Sequence, residues 1–190
     1  MDKEQWLIDL EKSSKVVPNS LPILKQMFKD NNLKIYRVEN KKEIVCDMLD
    51  QQCGIDYFIM KSKGSTYGLA WRCQWIDNNR KPYNTFTVRK ERESGVSTEY
   101  TKRKEARENK SIYPYYVAHA YANKQTNDIL SLAITTTDDE LDFIDNENIC
   151  KTEKISYDDK GWAKFIIIDW ADMALYGYNI TRYEKDRGIF

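Results

Sequence analysis

The chain has 190 residues, 41% hydrophobic and 13% aromatic, with 30 basic and 30 acidic side chains and a net charge of zero. That content suffices for one domain, 1–190, with a sizeable core, and seven Gly with four Pro argue against a long disordered linker. No apolar run approaches the roughly 18 residues of a membrane span, and Met1-Asp2-Lys3-Glu4-Gln5-Trp6 lacks the pattern of a signal peptide, so a cytoplasmic protein with no membrane partner is expected.

In chain order, the first 32 residues form a helical part. Lys3 to Lys15 carries Trp6, Leu7 and Leu10 on one face, and Leu21 to Lys29 carries Leu24, Met27 and Phe28, with Pro18 and Pro22 punctuating the link between two helices. A sheet-bearing core, 33–190, follows. Residues 33–38 alternate as a short strand, and 42–49 read as a helix or a first sheet strand. Strands are then expected at 55–60, 67–76, 84–90, 115–122, 129–135 and 164–170. Gly95 marks a turn, and Ser97 or Thr98 caps a helix in which Glu99 and Arg103 are i,i+4 partners. Thr137-Asp138-Asp139-Glu140 starts another, its acids near the positive end of the helix dipole. The expected fold is α/β (α+β), with a central mixed, mostly antiparallel sheet flanked by helices.

Cys46, Cys53, Cys73 and Cys150 show no CxxC spacing and read as buried thiols rather than a disulfide framework or zinc site. The single histidine, His119, shares a strand face with Tyr115, Val117 and Tyr121, the setting of a hydrogen-bonded core residue. Catalysis, if any, rests on carboxylates, Lys, Arg or Tyr.

Charge is uneven along the chain. Residues 80–110 hold ten Lys/Arg against five Glu, and 136–160 hold nine acids against three Lys. The two segments are either a polyanion-binding face beside an acidic one or two surfaces that attract each other.

The most informative stretch pairs Gly54-Ile55-Asp56-Tyr57-Phe58-Ile59 with Gly68-Leu69-Ala70-Trp71-Arg72-Cys73-Gln74-Trp75. On adjacent strands, alternation sets Asp56 apart from Ile55, Tyr57 and Ile59, and gathers Ala70, Arg72 and Gln74 on one face. An acid then faces a cation across a hairpin, as a structural ion pair or as part of a nuclease site. Arg89, alternating with Phe86 and Val88, joins that polar face if its strand lies alongside.

This order of elements over roughly 42–135 resembles the restriction-endonuclease-like superfamily with its PD-(D/E)xK motif. The resemblance implies Asp56 as the strand acid and metal ligand, and Arg72 in the place of the motif lysine. Gln74 would orient Arg72 or a water, with Glu43 or Asp50 supplying a second metal carboxylate for Mg²⁺. The pattern departs from the family in lacking a proline before Asp56 and in holding Ala70 where an acid belongs.

Three functions follow as expectations. The first is a metal-dependent nucleic-acid phosphodiesterase whose Arg89, Lys90, Arg92, Lys102, Arg103 and Lys104 grip the backbone. A catalytically inactive module binding nucleic acid or protein through the same basic segment is the second, and a small-ligand domain the third. Abundant Lys, Asn and Ile suggest an AT-rich bacterial or phage coding sequence.

Overall fold

Proline removes a helical hydrogen-bond donor and normally ends or kinks a helix, yet α1 runs unbroken over Lys3–Met27 with Pro18 and Pro22 inside it. Here the expected pair of helices is corrected to one. Val16, Val17, Leu24 and Met27 are buried together against the sheet, and the buried Ser20 hydroxyl donates to the Val17 carbonyl at 2.7 Å. Tertiary packing thus holds what local preference would interrupt.

The computed structural model describes residues 3–38, 44–78, 80–158 and 161–190. After α1 come β1 (Lys34–Arg37), α2 (Ile44–Gln51), β2 (Tyr57–Met60), β3 (Thr66–Ile76), β4 (Thr85–Arg92), α3 (Glu99–Glu108), β5 (Tyr116–Asn123) and β6 (Ile129–Thr136). The remainder is α4 (Thr137–Asp145), β7 (Thr152–Asp158), β8 (Gly161–Asp169), α5 (Trp170–Leu175), β9 (Ile180–Glu184) and β10 (Gly188–Ile189). The chain is an α+β protein with a seven-stranded mixed sheet, ordered β1-β2-β3-β5-β6-β9-β10, and a three-stranded sheet, β4-β8-β7. Among the described residues no helix is long and apolar enough to cross a membrane.

In the large sheet only β3 and β5 run parallel, with Arg72 beside His119 in the register; the other pairings are antiparallel. A parallel pair needs a long crossover, and β4 with α3 forms it. That crossover corrects the expectation of one central sheet and answers whether the strand of Arg89 lies beside β3, which the sequence left open. It does not: β4 pairs with β8, Phe86 opposite Ile168 and Val88 opposite Ile166, so its buried alternating residues belong to a second layer.

Alternation along β3 divides the core in two. Leu69 and Trp71 face α1 among Val16, Leu24, Ala118, Ala120 and Leu132. On the opposite side Ile76 and Tyr121 join Phe86, Val88, Ile166, Ile168, Trp170 and Met173 between the two sheets. The small residues Ala118, Ala120 and Ala122 on β5 let the first layer approach closely, each being almost wholly buried. No disulfide joins the four cysteines among the described residues, and burial pushes the Cys73 thiol up to about 12.

Candidate functional site

Two glycines deliver Asp56 to the edge of the polar layer. Gly54 takes the left-handed φ of +69°, a conformation that costs little without a Cβ, and turns the chain out of α2 toward β2. Gly68 lies against Ile55; a Cβ there would stand 2.9 Å from Ile55 Cδ1. Asp56 is thereby fixed immediately before β2, its amide donating to Leu69 O at 3.0 Å and its Oδ2 accepting from the Trp71 amide at 2.6 Å. A carboxylate accepting a backbone N–H is a strong, charge-assisted arrangement.

Arg72 follows Trp71 and points to the same side as Asp56, into the space between the sheets. Its Nη2 lies 2.8 Å from Glu99 Oε1, and its Nη1 donates to the Thr87 carbonyl of β4. Glu99 Oε2 accepts from the Arg89 amide at 3.3 Å. Helix α3 is seated for this role by its cap. Buried Thr98 accepts from the Thr101 amide and donates its own hydroxyl to Lys90 O at 2.9 Å. The first helical residue, Glu99, then shares an inward face with Lys102 and Arg103, three and four positions on. Arg103 Nη1 reaches Glu140 Oε2 of α4 at 2.5 Å, the two side chains being only 11% and 2% exposed.

The electrostatics follow from this crowding. Burial opposes ionisation of Glu99, but Arg72 and Arg103 outweigh it and hold the carboxyl below its ordinary value. For Arg103 burial is likewise outweighed, by Glu140 and Glu99, and its pKa rises. Glu140 goes the other way: burial raises it, Arg103 only partly opposing, and Glu99 adds to the rise. His119 is 1% exposed; burial and then Arg72 depress its pKa to about 3, so the ring is neutral. It stacks on Tyr121 with centroids 5.0 Å apart and planes at 8°, and its Nε2 has no hydrogen-bond partner.

These groups enclose a cavity of about 240 Å³. Five cationic side chains (Arg72, Arg89, Arg92, Lys102, Arg103) and four acids (Asp50, Asp56, Glu99, Glu140) line it, with Ser97, Thr98 and His119. Buried polar atoms are ordinarily satisfied; Arg92 Nε, Ser97 Oγ and His119 Nε2, all at this cavity, are not. With Glu99 and Glu140 already committed to Arg72 and Arg103, the arrangement is suited to an anion small enough to enter.

Of the residues expected from the sequence, Asp56, Arg72, Asp50, Arg89, Arg92, Lys102 and Arg103 meet at this cavity. Gln74 lines the adjoining groove with Arg72 and Arg89. Glu43 lies outside the described residues. Lys90 pairs with Glu153 at 2.7 Å, and Lys104 with Asp145 at 3.1 Å. Arg107 reaches Asp142 at 2.6 Å and Asp145 at 3.5 Å. The basic and acidic segments therefore face each other, which is the second of the two arrangements their charges allowed, and Arg103 is an interior residue rather than part of an open basic stripe. Glu99, Glu140 and His119 were read from sequence as a helix partner, a capping acid and a core residue. The 99/103 spacing pointed toward a shared helix face; nothing local pointed to the meeting of β5 with α3 and α4.

Searches of family models, curated proteins and solved structures found no match to this chain.

Proposed function

We propose that the protein is a nucleic-acid-binding module that takes a phosphate group into the cavity at Arg72, Arg89, Arg92 and Lys102, on a restriction-endonuclease-like scaffold. The observation that carries this reading is the convergence of five cations with four acids on one small cavity, where Glu99 and Glu140 are paired with Arg72 and Arg103 and the unpartnered polar atoms include two buried donors, Arg92 Nε and Ser97 Oγ. Arg guanidinium groups match phosphate oxygens in geometry and stay charged when buried. The mixed sheet, with an acid entering one strand and a cation on the next, supports the scaffold.

Metal-dependent cleavage is the second reading, favoured by Asp50 and Asp56 lining the same cavity as Arg72. Mg²⁺ is held by one or two carboxylates plus water and phosphate oxygens, and these two would hold it; bound there, it would neutralise phosphate charge and activate water. Ala70 occupies the motif's second acid position, however, so one of the family's carboxylates has no counterpart here. The binding reading is therefore placed first.

Labelled single-stranded and duplex DNA and RNA, titrated in fluorescence anisotropy at about 50 and about 200 mM salt, test it in the presence of chelator. Binding should weaken steeply with salt and fall on Arg92→Ala and Lys102→Ala. No binding at the lower salt would overturn it. Cleavage that appears with Mg²⁺ or Mn²⁺ and is lost in Asp56→Asn would put the phosphodiesterase reading in its place.

A further inference from the structure

Beside the phosphate cavity runs a second groove of about 580 Å³, between β3 of the large sheet and β4, β7 and β8 of the small one. It shares Arg72, Thr87 and Arg89 with the cavity, so one wall serves both. Its own lining differs in kind. Beyond the shared residues, the groove offers Tyr83, Phe165 and Ile167 together with Gln74, Thr85, Ser156 and Lys154. Tyr83 is 66% exposed, and its ring stands edge-on to Tyr121 with centroids 6.4 Å apart, a contact that leaves most of it uncovered. An exposed aromatic ring poised over a half-apolar groove has a face to give to another flat ring.

We propose that this groove receives a nucleobase, so that cavity and groove together hold one nucleotide unit whose base is unstacked. The inference rests on the phosphate reading and adds the substrate class: a single strand or strand end rather than a continuous duplex. A base has two apolar faces and a polar edge, the combination that aromatic side chains beside an amide and a hydroxyl accommodate. Arg72 and Gln74 are two residues apart on one face of β3, about 7 Å along the strand, so the phosphate position and the edge-reading amide are set apart on a rigid element. The 240 Å³ cavity is smaller than the roughly 300–1,000 Å³ of typical ligand pockets. It admits a phosphate but no paired bases, and within a duplex the base faces are occupied by their stacked neighbours.

The test compares four probes on the full chain: a 5′-phosphorylated single-stranded oligonucleotide, an abasic strand of the same length, a blunt duplex of that sequence, and free AMP. Anisotropy or calorimetry should rank the single strand above the abasic strand and the duplex by tenfold or more. Tyr83→Ala should weaken the single strand by about ten- to a hundredfold while leaving the abasic strand unchanged. Because Tyr83 is largely exposed, the variant should fold, which its melting temperature checks; Gln74→Ala supplies a second variant, expected to weaken the single strand and AMP while leaving the abasic strand unchanged. AMP binding as tightly as the strand supports the nucleotide site and identifies a free nucleotide as its source. Equal binding of normal and abasic strands, unmoved by Tyr83→Ala, overturns the groove inference and leaves the phosphate reading standing. If no probe binds, both fall.

Discussion

On the side of the large sheet that α1 covers, Leu69 and Trp71 of β3 meet Val16, Leu24 and Leu132 in a dry layer. One residue along the same strand, Arg72 enters a space where Glu99, Arg103, Glu140 and His119 crowd together. The difference shows how little of a buried ionic network is explained by stability. The apolar side gains from burial itself, at about 25 cal/mol per Å² removed from water. On the ionic side the desolvation of each charge consumes much of what its partner returns, and well-packed apolar residues often serve a fold as well or better. A network of that kind around a cavity fits the proposed role of holding cations in place for an anion.

The sharpest way to break this comparison is to remove one member of the buried pair. Glu140→Ala removes the direct partner of buried Arg103, leaving Glu99 as a remaining acidic neighbour, and should cost up to about 3–5 kcal/mol, seen as a lowered denaturant midpoint. Replacing both partners, as Arg103→Met with Glu140→Leu, should recover most of that loss. Phosphate-dependent binding should not recover fully with it, because Glu99 then faces Arg72 and Arg89 with a charge that Arg103 no longer offsets. Full recovery of binding in the double variant would mean that the pair is only structural.

On the other face, Leu24→Ala should cost about 2–5 kcal/mol, Leu24 being wholly buried. Strand binding by the remaining folded protein should keep its wild-type affinity, measured well below the melting temperature. A matching loss of affinity would show that the two faces are coupled through β3.

A pH titration of stability sharpens the contrast through His119. Its folded pKa, about 3, lies below the ordinary 6.5, so on acidification the unfolded chain takes up a proton that the folded chain refuses. Stability is complete above about pH 6.5 and declines as pH falls toward 3. By about pH 5 the loss from this one group is roughly 2 kcal/mol. Glu99, whose pKa is lowered, acts in the same direction at lower pH, its contribution lost as pH falls through its folded value. Glu140, whose pKa is raised, acts oppositely, losing stability as pH rises through the carboxylate range. His119→Phe isolates the histidine: the variant should lose the decline between about pH 6.5 and 5 and keep the carboxylate part below it. An unchanged profile would mean that His119 does not control it.

The sequence made one half of the site legible. Period-two alternation placed Asp56 and Arg72 on one side of a hairpin, and both line the cavity. It also located β3, β5 and β6, offered Ser97 or Thr98 as the cap of α3, and began α4 at Thr137; the caps are Thr98 and Thr136, whose side chains accept from the amides of Thr101 and Asp139. The other half came from long-range pairing. The partner of β4 is β8, some 80 residues later, and the alternation of Phe86 and Val88 fits either sheet equally well. His119 reads as core because it is core; only the parallel register beside Arg72 brings it to the cavity wall. The edge strand β7, mostly exposed through Glu153 to Tyr157, and the short β9 and β10 carry too little apolar pattern to be read in advance.

Lys104 gives the smallest effect and the cleanest control, because it sits one residue after Arg103 on the same helix. Its Nζ lies 3.1 Å from Asp145 Oδ2, with side chains 37% and 30% exposed, and it also donates to Tyr100 Oη at 3.2 Å. Water screens such a pair and side-chain entropy opposes it, so its net contribution is about 0.2–1 kcal/mol. Lys104→Ala should lower the melting temperature only slightly and leave strand binding within about twofold, as expected for removing under half a kcal/mol of remote charge interaction. Arg103→Ala, by contrast, should damage both stability and binding. If Lys104→Ala weakens binding as much as Lys102→Ala does, the outer face of α3 contacts the backbone after all, and the basic segment works as an open surface rather than through the cavity.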